Sequence, residues 1–393
     1  MASPAPPVVA LTNDLLAEIF LRLPTPEDLV RASAACVSFR RLVTDRPFLR
    51  RFRSLHAPPF VGFLDHKGFH PALPPHPSAP SARAVSDAAD FDLSFLPSSP
   101  PGSSWMVRNV RDGRVLVDRD PKPEGGNEGG GEEPSLFTEI AVCDPLRRRF
   151  VLLPPIPDDL ADSVERPMRV HLERYCEIFL VPRSEEGAAA EADDASFKVI
   201  WMAQCRAKLC TFVFSSSTGQ WCAGASPSSV DLLTGTGLSS SPSPVFSGRQ
   251  YACGCFYWGM DWRTKLLVLD TRVMKFSITD LPPGCHRGQT AVVEAGEGMT
   301  GMFALQGDIA AGTFSLYYTI RRKERESHPE QWQMEKIIPL DSGYRHYIRG
   351  ASEKLLLLAR FPGSGIGFIP EKPDLEYLVE FIVTEVFQSI ELK

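Results

Sequence analysis

No apolar run in this 393-residue chain approaches the roughly 20 residues that a transmembrane helix requires; Leu355-Leu356-Leu357-Leu358 is a strand at most. The N-terminus has no basic region ahead of an apolar core, and Asp14 and Glu18 interrupt the only candidate, so no secretory signal is expected. Neither sign of charge dominates. With 42 Lys and Arg against 48 Asp and Glu the net charge is −6, which offers no global attraction to nucleic acid or an anionic membrane. The nine cysteines are odd in number and form no framework and no paired C-x-x-C, which suits a reducing compartment. Cytoplasm, nucleus or both are expected. There is no G-x-S-x-G elbow and no lysine loop to cradle phosphate. Gly296 to Gly301 spells G-x-G-x-x-G, but a dinucleotide site needs a helix next, and Met302 to Asp308 reads as a strand and turn. It is read as a glycine-rich hairpin. Cys253 and Cys255 are placed on one face of a strand as small hydrophobes, and Cys205 and Cys210 lack metal-ligand spacing. His66, His70 and His76 lie beside Asp65 in a proline-rich stretch, with no helix to hold them together. No catalytic residues, metal or cofactor are expected.

What is present is concentrated first between Leu11 and Phe52. Thr12 or Asn13 can cap a helix whose Leu15, Leu16, Ile19, Phe20 and Leu23 recur at helical spacing, ended by Pro24. Thr25-Pro26-Glu27-Asp28 starts a second helix, with a threonine cap, proline in the first turn and acids behind it. Leu29, Ala32 and Cys36 follow at helical steps. Val37, Phe39, Leu42 and Val43 carry a third short helix, and Asp45-Arg46-Pro47 opens a fourth with Phe48, Leu49 and Phe52 inward. A module of about forty residues is marginal as an independent core. The pattern alone leaves open whether its apolar stripe packs on a partner or on the downstream domain. Arg31, Arg40, Arg41, Arg46, Arg50, Arg51 and Arg53 crowd the same module. They read as a solvated face, as contacts to an acidic protein surface, or as nucleic-acid contacts, the last disfavoured by the acidic whole.

This segment resembles the F-box. Such segments open with Leu-Pro-x-Glu-Leu, close their first helix with Leu-Pro and carry Cys-x-x-Trp further on. Here Leu11-Thr12-Asn13-Asp14-Leu15, Leu23-Pro24 and Cys36-Val37-Ser38-Phe39 stand in those places, and the tail Asp45 to Phe52 is similar to that of plant F-box proteins. Thr12, Asp14 and Phe39 are departures. The resemblance implies docking on a Skp-type adaptor, and through it a cullin, led by Leu11, Leu15, Ile19, Leu23, Pro24, Leu29 and Phe39.

Beyond this module the coarse reading is β. Residues 57–101 are rich in proline, alanine and serine, with a strand near Phe60 to Leu64. Residues 120–134, 184–196 and 224–244 are acidic, glycine-rich or serine-rich and are read as disordered loops, as are residues 1–10. Asp112-Gly113 between apolar runs marks a hairpin. A repeat follows. Asp144, Ser215 and Asp270 each precede an aromatic by the same step: Phe150, Trp221 and Phe276. Trp332 and Phe387 head comparable returning strands, and after a longer first interval the spacing is about 55 residues. Five anchored units plus the Phe60–Val117 strands suggest a six-bladed β-propeller, with an irregular β-sandwich or barrel as the alternative. The repeat is similar to the propeller-like associated domains behind many plant F-boxes.

The expected organisation is therefore α+β and multidomain: an all-α F-box-like module of three to four short helices at 11–56, then an all-β domain at 57–393. The expected role is a non-catalytic, substrate-recognising adaptor subunit of a Skp–cullin–F-box ubiquitin ligase. The alternative is a propeller interaction scaffold outside ubiquitination. Tyr251, Asp261, Trp262 and Arg263 belong to the densest aromatic–polar stretch and are the candidate contacts to an unknown substrate protein, while Phe256 to Trp258 read as blade core. No nucleic acid and no membrane are expected as partners.

Overall fold

A computed structural model describes residues 11–56, 60–65, 68–74, 76–98, 103–121, 136–165, 167–170, 173–174, 176–182, 196–237, 244–260, 264–283, 285, 290–296, 298–308, 313–322, 331–351, 355–362 and 378–382. The chain divides into two compact units, one comprising residues 1–61 with 76–78 and the other the remainder. The expected disordered stretches at 1–10, 120–134 and 184–196 lie, but for a few edge residues, outside the described residues.

In the first unit four helices form where the caps place them: α1 (Asn13–Leu21), α2 (Pro26–Ala35), α3 (Val37–Val43) and α4 (Arg46–Leu55). Thr12, Thr25, Cys36 and Asp45 each present a side-chain acceptor to the backbone N–H three residues on, which satisfies one of the otherwise orphaned donors of a helix start. Proline stands in the first turn of α2 and α4. Leu16, Phe20, Leu21, Leu29, Val43, Phe48 and Phe52 fill the interior. Phe39 meets Phe20 edge-on at 5.0 Å. His56, just past α4, hydrogen-bonds the Leu21 carbonyl at 2.7 Å and so ties the last helix to the end of the first.

The second unit opens with a hairpin of β1 (Gly62–Asp65) and β2 (Gly68–Pro71) and the helix α5 (Ala79–Ala88). Five antiparallel meander sheets follow in chain order. They are β3 (Ser103–Arg111), β4 (Arg114–Pro121), β5 (Ile140–Asp144) and β6 (Arg149–Leu152); β9 (Cys176–Val181), β10 (Lys198–Gln204), β11 (Leu209–Ser215) and β12 (Gln220–Ala223); β13 (Phe246–Ala252), β14 (Cys255–Met260), β15 (Lys265–Asp270) and β16 (Lys275–Asp280); β17 (Thr290–Glu294), β18 (Thr300–Asp308), β19 (Thr313–Arg322) and β20 (Gln331–Pro339); and a three-stranded sheet of β21 (Tyr344–Ala351), β22 (Leu355–Pro362) and β23 (Leu378–Ile382). Short pieces lie between the first two sheets: α6 (Asp158–Ala161) and the pair β7 (Arg169–Val170) and β8 (Glu173–Arg174). α7 (Ser229–Leu233) lies between the second and third.

The arrangement is a propeller, and strand alternation shows why. Along β10, Val199, Trp201 and Ala203 pack with Leu116, Ile140 and Val142 of the first sheet, while Ile200 and Met202 pack with Phe256, Trp258 and Leu267 of the third. Successive side chains point to opposite faces of a strand. A sheet covered on both faces needs apolar residues at both parities, and β10 is buried from Val199 to Gln204. The same sharing joins the third and fourth sheets through Tyr257, Leu266, Val292 and Met302, and the fourth and fifth through Phe303, Tyr318, Leu356 and Leu358. The first strands are neighbours, β3 with β9, β13 with β17 and β17 with β21.

Amide side chains stitch sheet to sheet. Gln204 donates from Nε2 to the Phe246 carbonyl at 2.6 Å and accepts from the Phe246 N–H at 2.9 Å. Gln250 donates to the Thr290 carbonyl at 2.8 Å and accepts from the Val292 N–H. Asn109 Oδ1 accepts from the Leu180 N–H at 3.1 Å. Gln204→Leu keeps the volume but orphans both buried groups of Phe246. We expect a loss of about 1–3 kcal/mol in chemical denaturation, since a buried unpaired backbone group carries its full desolvation cost.

The structure changes several expectations. Among the described residues there are five blades, not six. Phe150, Trp221, Phe276 and Trp332 sit on β6, β12, β16 and β20, the fourth strand of each of the first four sheets; Phe387 lies outside the described residues. Among the described residues the repeat therefore marks one blade for each of its first four anchors. The surplus came from the Phe60–Val117 strands, of which β3 and β4 are the inner strands of the Phe150 sheet, leaving only the β1–β2 hairpin. The stretch 224–244 contains α7, with Leu232 and Leu233 buried, and 57–101 contains α5. Cys253 is in the β13–β14 turn and has φ 51°, so it does not share a strand face with Cys255.

Candidate functional site

In the helical module, α1 carries apolar residues around most of its circumference. Leu16, Phe20 and Leu21 face the module's interior, whereas Leu15 and Ile19, four apart on the helix, are exposed, Leu15 by 53%, as is Leu11 just ahead of the Thr12 cap. An apolar stripe on each side of one helix is unusual where only one side is covered. Val30, midway along α2, and Val37, at the start of α3, are exposed as well and were not in the expected docking set. The expected docking set thus divides. Leu11, Leu15, Ile19 and Pro24 are exposed, Leu23 and Phe39 are partly buried in the core, and Leu29 is inside at 4% exposure. Helix periodicity cannot separate the two sides of α1; the packing of α3 and α4 on it does. Leu29→Ala is expected to cost about 2–5 kcal/mol as a core truncation, and Leu15→Ala less than about 0.5 kcal/mol, read by thermal melts of the helical signal.

The arginines around this module are partly committed. Arg31 pairs with Asp28 at 2.9 Å and Arg51 with Glu18 at 2.6 Å, both exposed. Exposed pairs of this kind contribute little to stability. The side chains of Arg46, Arg50 and Arg53 lie outside the described set.

Residues 10–51 match the F-box domain. The F-box therefore accounts for α1 to α3 and the first half of α4. No match was found among curated proteins. Among solved structures, the NanB sialidase from Streptococcus pneumoniae aligns at 12% identity and a TM-score of 0.31, over 57% of this chain and 32% of its own. This chain thus spans about a third of that sialidase. The GH93 α-L-arabinofuranosidase of Fusarium graminearum aligns at 12% identity and 0.32, over 66% and 76%. A prolyl endopeptidase aligns at 11% and 0.32, over 82% and 45%. Scores this low carry neither fold nor activity across to this chain.

In the β domain the candidate substrate contacts divide in another way. Asp261, Trp262 and Arg263 lie outside the described residues. Tyr251, on β13, is half-buried against Phe256 at 4.9 Å, with the Arg111 guanidinium over its ring at 4.5 Å. It is built into the blade rather than displayed on a loop. Phe256, Tyr257 and Trp258 are buried, as blade core. Beside them Arg249 donates to Glu177 at 2.7 Å and stacks over Phe179 at 4.5 Å. Burial lowers the Arg249 pKa, opposed by the Glu177 carboxylate.

The other chemistry-bearing groups are used locally. Gly296 and Gly298 take left-handed conformations in the turn joining β17 to β18, with Glu294 paired to Thr300, so the glycine motif is a hairpin. Cys205 and Cys210 lie 3.8 Å apart in the core, and the shared hydrogen bond together with burial holds the Cys205 thiol protonated. Burial pushes the Cys143 thiol up to about 12. His70 meets Asp65 at 3.0 Å within the β1–β2 hairpin, His76 accepts from the Ser78 N–H, and His66 lies outside the described residues. Among the described residues no three His, Cys, Asp or Glu side chains converge as metal ligands.

Proposed function

We propose that this chain is a substrate-recognising adaptor subunit of a Skp–cullin–F-box ubiquitin ligase. The observation that carries the reading is the F-box match at residues 10–51 coupled to the bare apolar pair Leu15 and Ile19 on a helix whose other side is already filled, with exposed Leu11 just ahead of its cap. These residues, with Pro24, dock on the Skp-type adaptor and through it on a cullin. The five-bladed domain holds the substrate protein. The chain's own contribution is tethering, which raises the effective concentration of substrate lysines at a ubiquitin-loaded enzyme carried elsewhere in the complex. It supplies no catalysis. Asp261, Trp262 and Arg263 remain the candidate substrate contacts, and cytoplasm or nucleus is the place of action.

The departure at Phe39 is consistent with this reading. Phe39 packs against Phe20 inside the module, so the tryptophan-to-phenylalanine change is taken up by the core and not by the exposed stripe.

The test is co-purification with a Skp-type adaptor of the full chain and of a chain lacking residues 1–56. The full chain is expected to give a stoichiometric complex and the shortened one none. Absence of a complex with either would retire the ubiquitin-ligase reading and leave a β-scaffold interaction protein.

A further inference from the structure

We propose that the outer edge of the first blade, β6, accepts an extended acidic and apolar segment of a partner protein as an added fifth strand. The proposal deepens the substrate-holding role above and rests on that reading only in calling the segment a substrate's.

The argument begins with how the other outer strands are finished. Trp221 of β12 is 7% exposed, packed at a tilt against Phe214, and its Nε1 donates to the Pro154 carbonyl at 2.8 Å. Phe276 of β16 is equally buried, packed with Leu232 and Leu233 of α7. Trp332 of β20 donates to the Asp280 carbonyl at 2.9 Å. Each anchor is thus engaged by the preceding blade's last strand or the segment that follows it, with Trp221 and Phe276 buried and Trp332 partly so. The residues that β12 and β16 expose include Gln220, Lys275, Ser277 and Asp280, polar and charged groups that discourage strand addition, whereas β20 exposes Met334 and Ile337 along with Gln331 and is set apart from β6 by its tethered Trp332.

The first blade departs from this. Phe150 is 38% exposed, its one aromatic neighbour being Phe95 at 6.5 Å among the described residues. Val151 and Leu152 beside it are exposed, as is Leu146 in the preceding turn. All of β6 is exposed, and three of its four residues are apolar. No charge guards the strand between Phe150 and Leu152.

The backbone is available as well. The Leu153 N–H donates to the Ile140 carbonyl at 2.9 Å, which makes 140 and 153 a hydrogen-bonded pair. In an antiparallel ladder such pairs alternate. Val151 and Arg149 therefore bond back to β5, while the N–H and C=O of Phe150 and Leu152 point outward. Among the described residues nothing hydrogen-bonds these outward groups.

Charge selects the partner. Arg147, Arg148 and Arg149 stand at the head of the strand, against Asp144, which pairs with Arg147 at 2.7 Å, and Asp90, which feels Arg148. Three guanidiniums face two carboxylates, and Arg149 is on the edge strand itself. An incoming strand that alternates apolar residues with glutamate or aspartate matches both the apolar strip and this surplus. Strand addition gains affinity from backbone hydrogen bonds and specificity from alternate side chains.

The experiment uses the full chain and a blocked, fluorescent eight-residue peptide alternating glutamate with valine or isoleucine. Saturable binding is expected, weakened by about tenfold or more when lysine replaces each glutamate, and lost when alternate backbone nitrogens are methylated. The Phe150 and Leu152 amides should exchange freely in the free chain and slow by about tenfold or more on binding. Val151→Lys with Leu152→Lys, at two exposed positions, should reduce binding by about tenfold or more while leaving adaptor co-purification unchanged. The proposal is overturned by absence of saturable binding, by binding indifferent to the double lysine change, or by binding that leaves those two amides unaltered. It is overturned too if the amides are already slow in the free chain, because another segment then covers the edge, or slow only as protein concentration rises, because a second copy does. Peptide binding that persists where adaptor binding fails sustains this proposal and retires the ubiquitin-ligase reading alone.

Discussion

Leu15→Asp combined with Ile19→Asp should eliminate the complex with a Skp-type adaptor and leave the β domain folded. Both side chains are exposed on α1, and neither belongs to the interior formed by Leu16, Phe20 and Leu21. Charging them costs the isolated module little, within about 0.5 kcal/mol for surface changes away from special features. In the complex the same two carboxylates would lie unpaired against an apolar partner, and an uncompensated buried charge costs about 3–5 kcal/mol. Two of them exceed what a moderate-affinity interface can absorb, so the expected loss is about a thousandfold or more in Kd. Titration calorimetry against purified adaptor, with circular dichroism of the variant, reads both halves. Retention of binding by a folded double variant would sink the docking model. Leu29→Asp is the contrasting control, because Leu29 is interior and its charging should unfold the module outright.

Trp258→Ala should be the most damaging single truncation in the propeller. Trp258 is fully buried on β14 and packs with Phe179 of the second blade at 5.8 Å, with Phe256 at 6.0 Å and with Phe276 at 6.4 Å. Removing the indole empties the seam between the second and third blades at a cost of about 3–5 kcal/mol. It also removes the indole donor lying 3.5 Å from Glu177, the carboxylate that compensates the buried Arg249. A lowered urea midpoint and earlier exchange of the β9 and β14 amides are expected. A variant with an unchanged midpoint would show that the seam tolerates a void of indole size.

Much of this was legible in the residues themselves. The caps at Thr12, Thr25 and Asp45 and the apolar steps of three and four place the four helices, because those signals are local. The step from Asp144, Ser215 and Asp270 to an aromatic marks the outer hairpin of three blades, again because a turn and its flanking strands are one contiguous piece. Arg148, Gly219 and Met274 occupy the same left-handed place in those turns, which shows how regular the repeat is beneath dissimilar side chains. Blade number was not legible in the same way. β3 and β4 reach β5 only across residues 122–135, and no periodicity says which sheet a hairpin joins when the connection is long.

By itself the sequence determined the four-helix start, the predominantly β character of the remainder though not its helices α5 to α7, and the chemical character of α1, since each depends on neighbours in the chain. The tertiary structure alone decided which side of α1 is spent on the module's own core, so that Leu29 and Phe39 turn inward while Leu11, Leu15 and Ile19 stay bare. It also decided that Phe150, the counterpart of the buried Trp221 and Phe276, stands on an open edge. The physical reason is common to both. Periodicity reports that a face is apolar, whereas burial depends on what a distant segment brings to cover it.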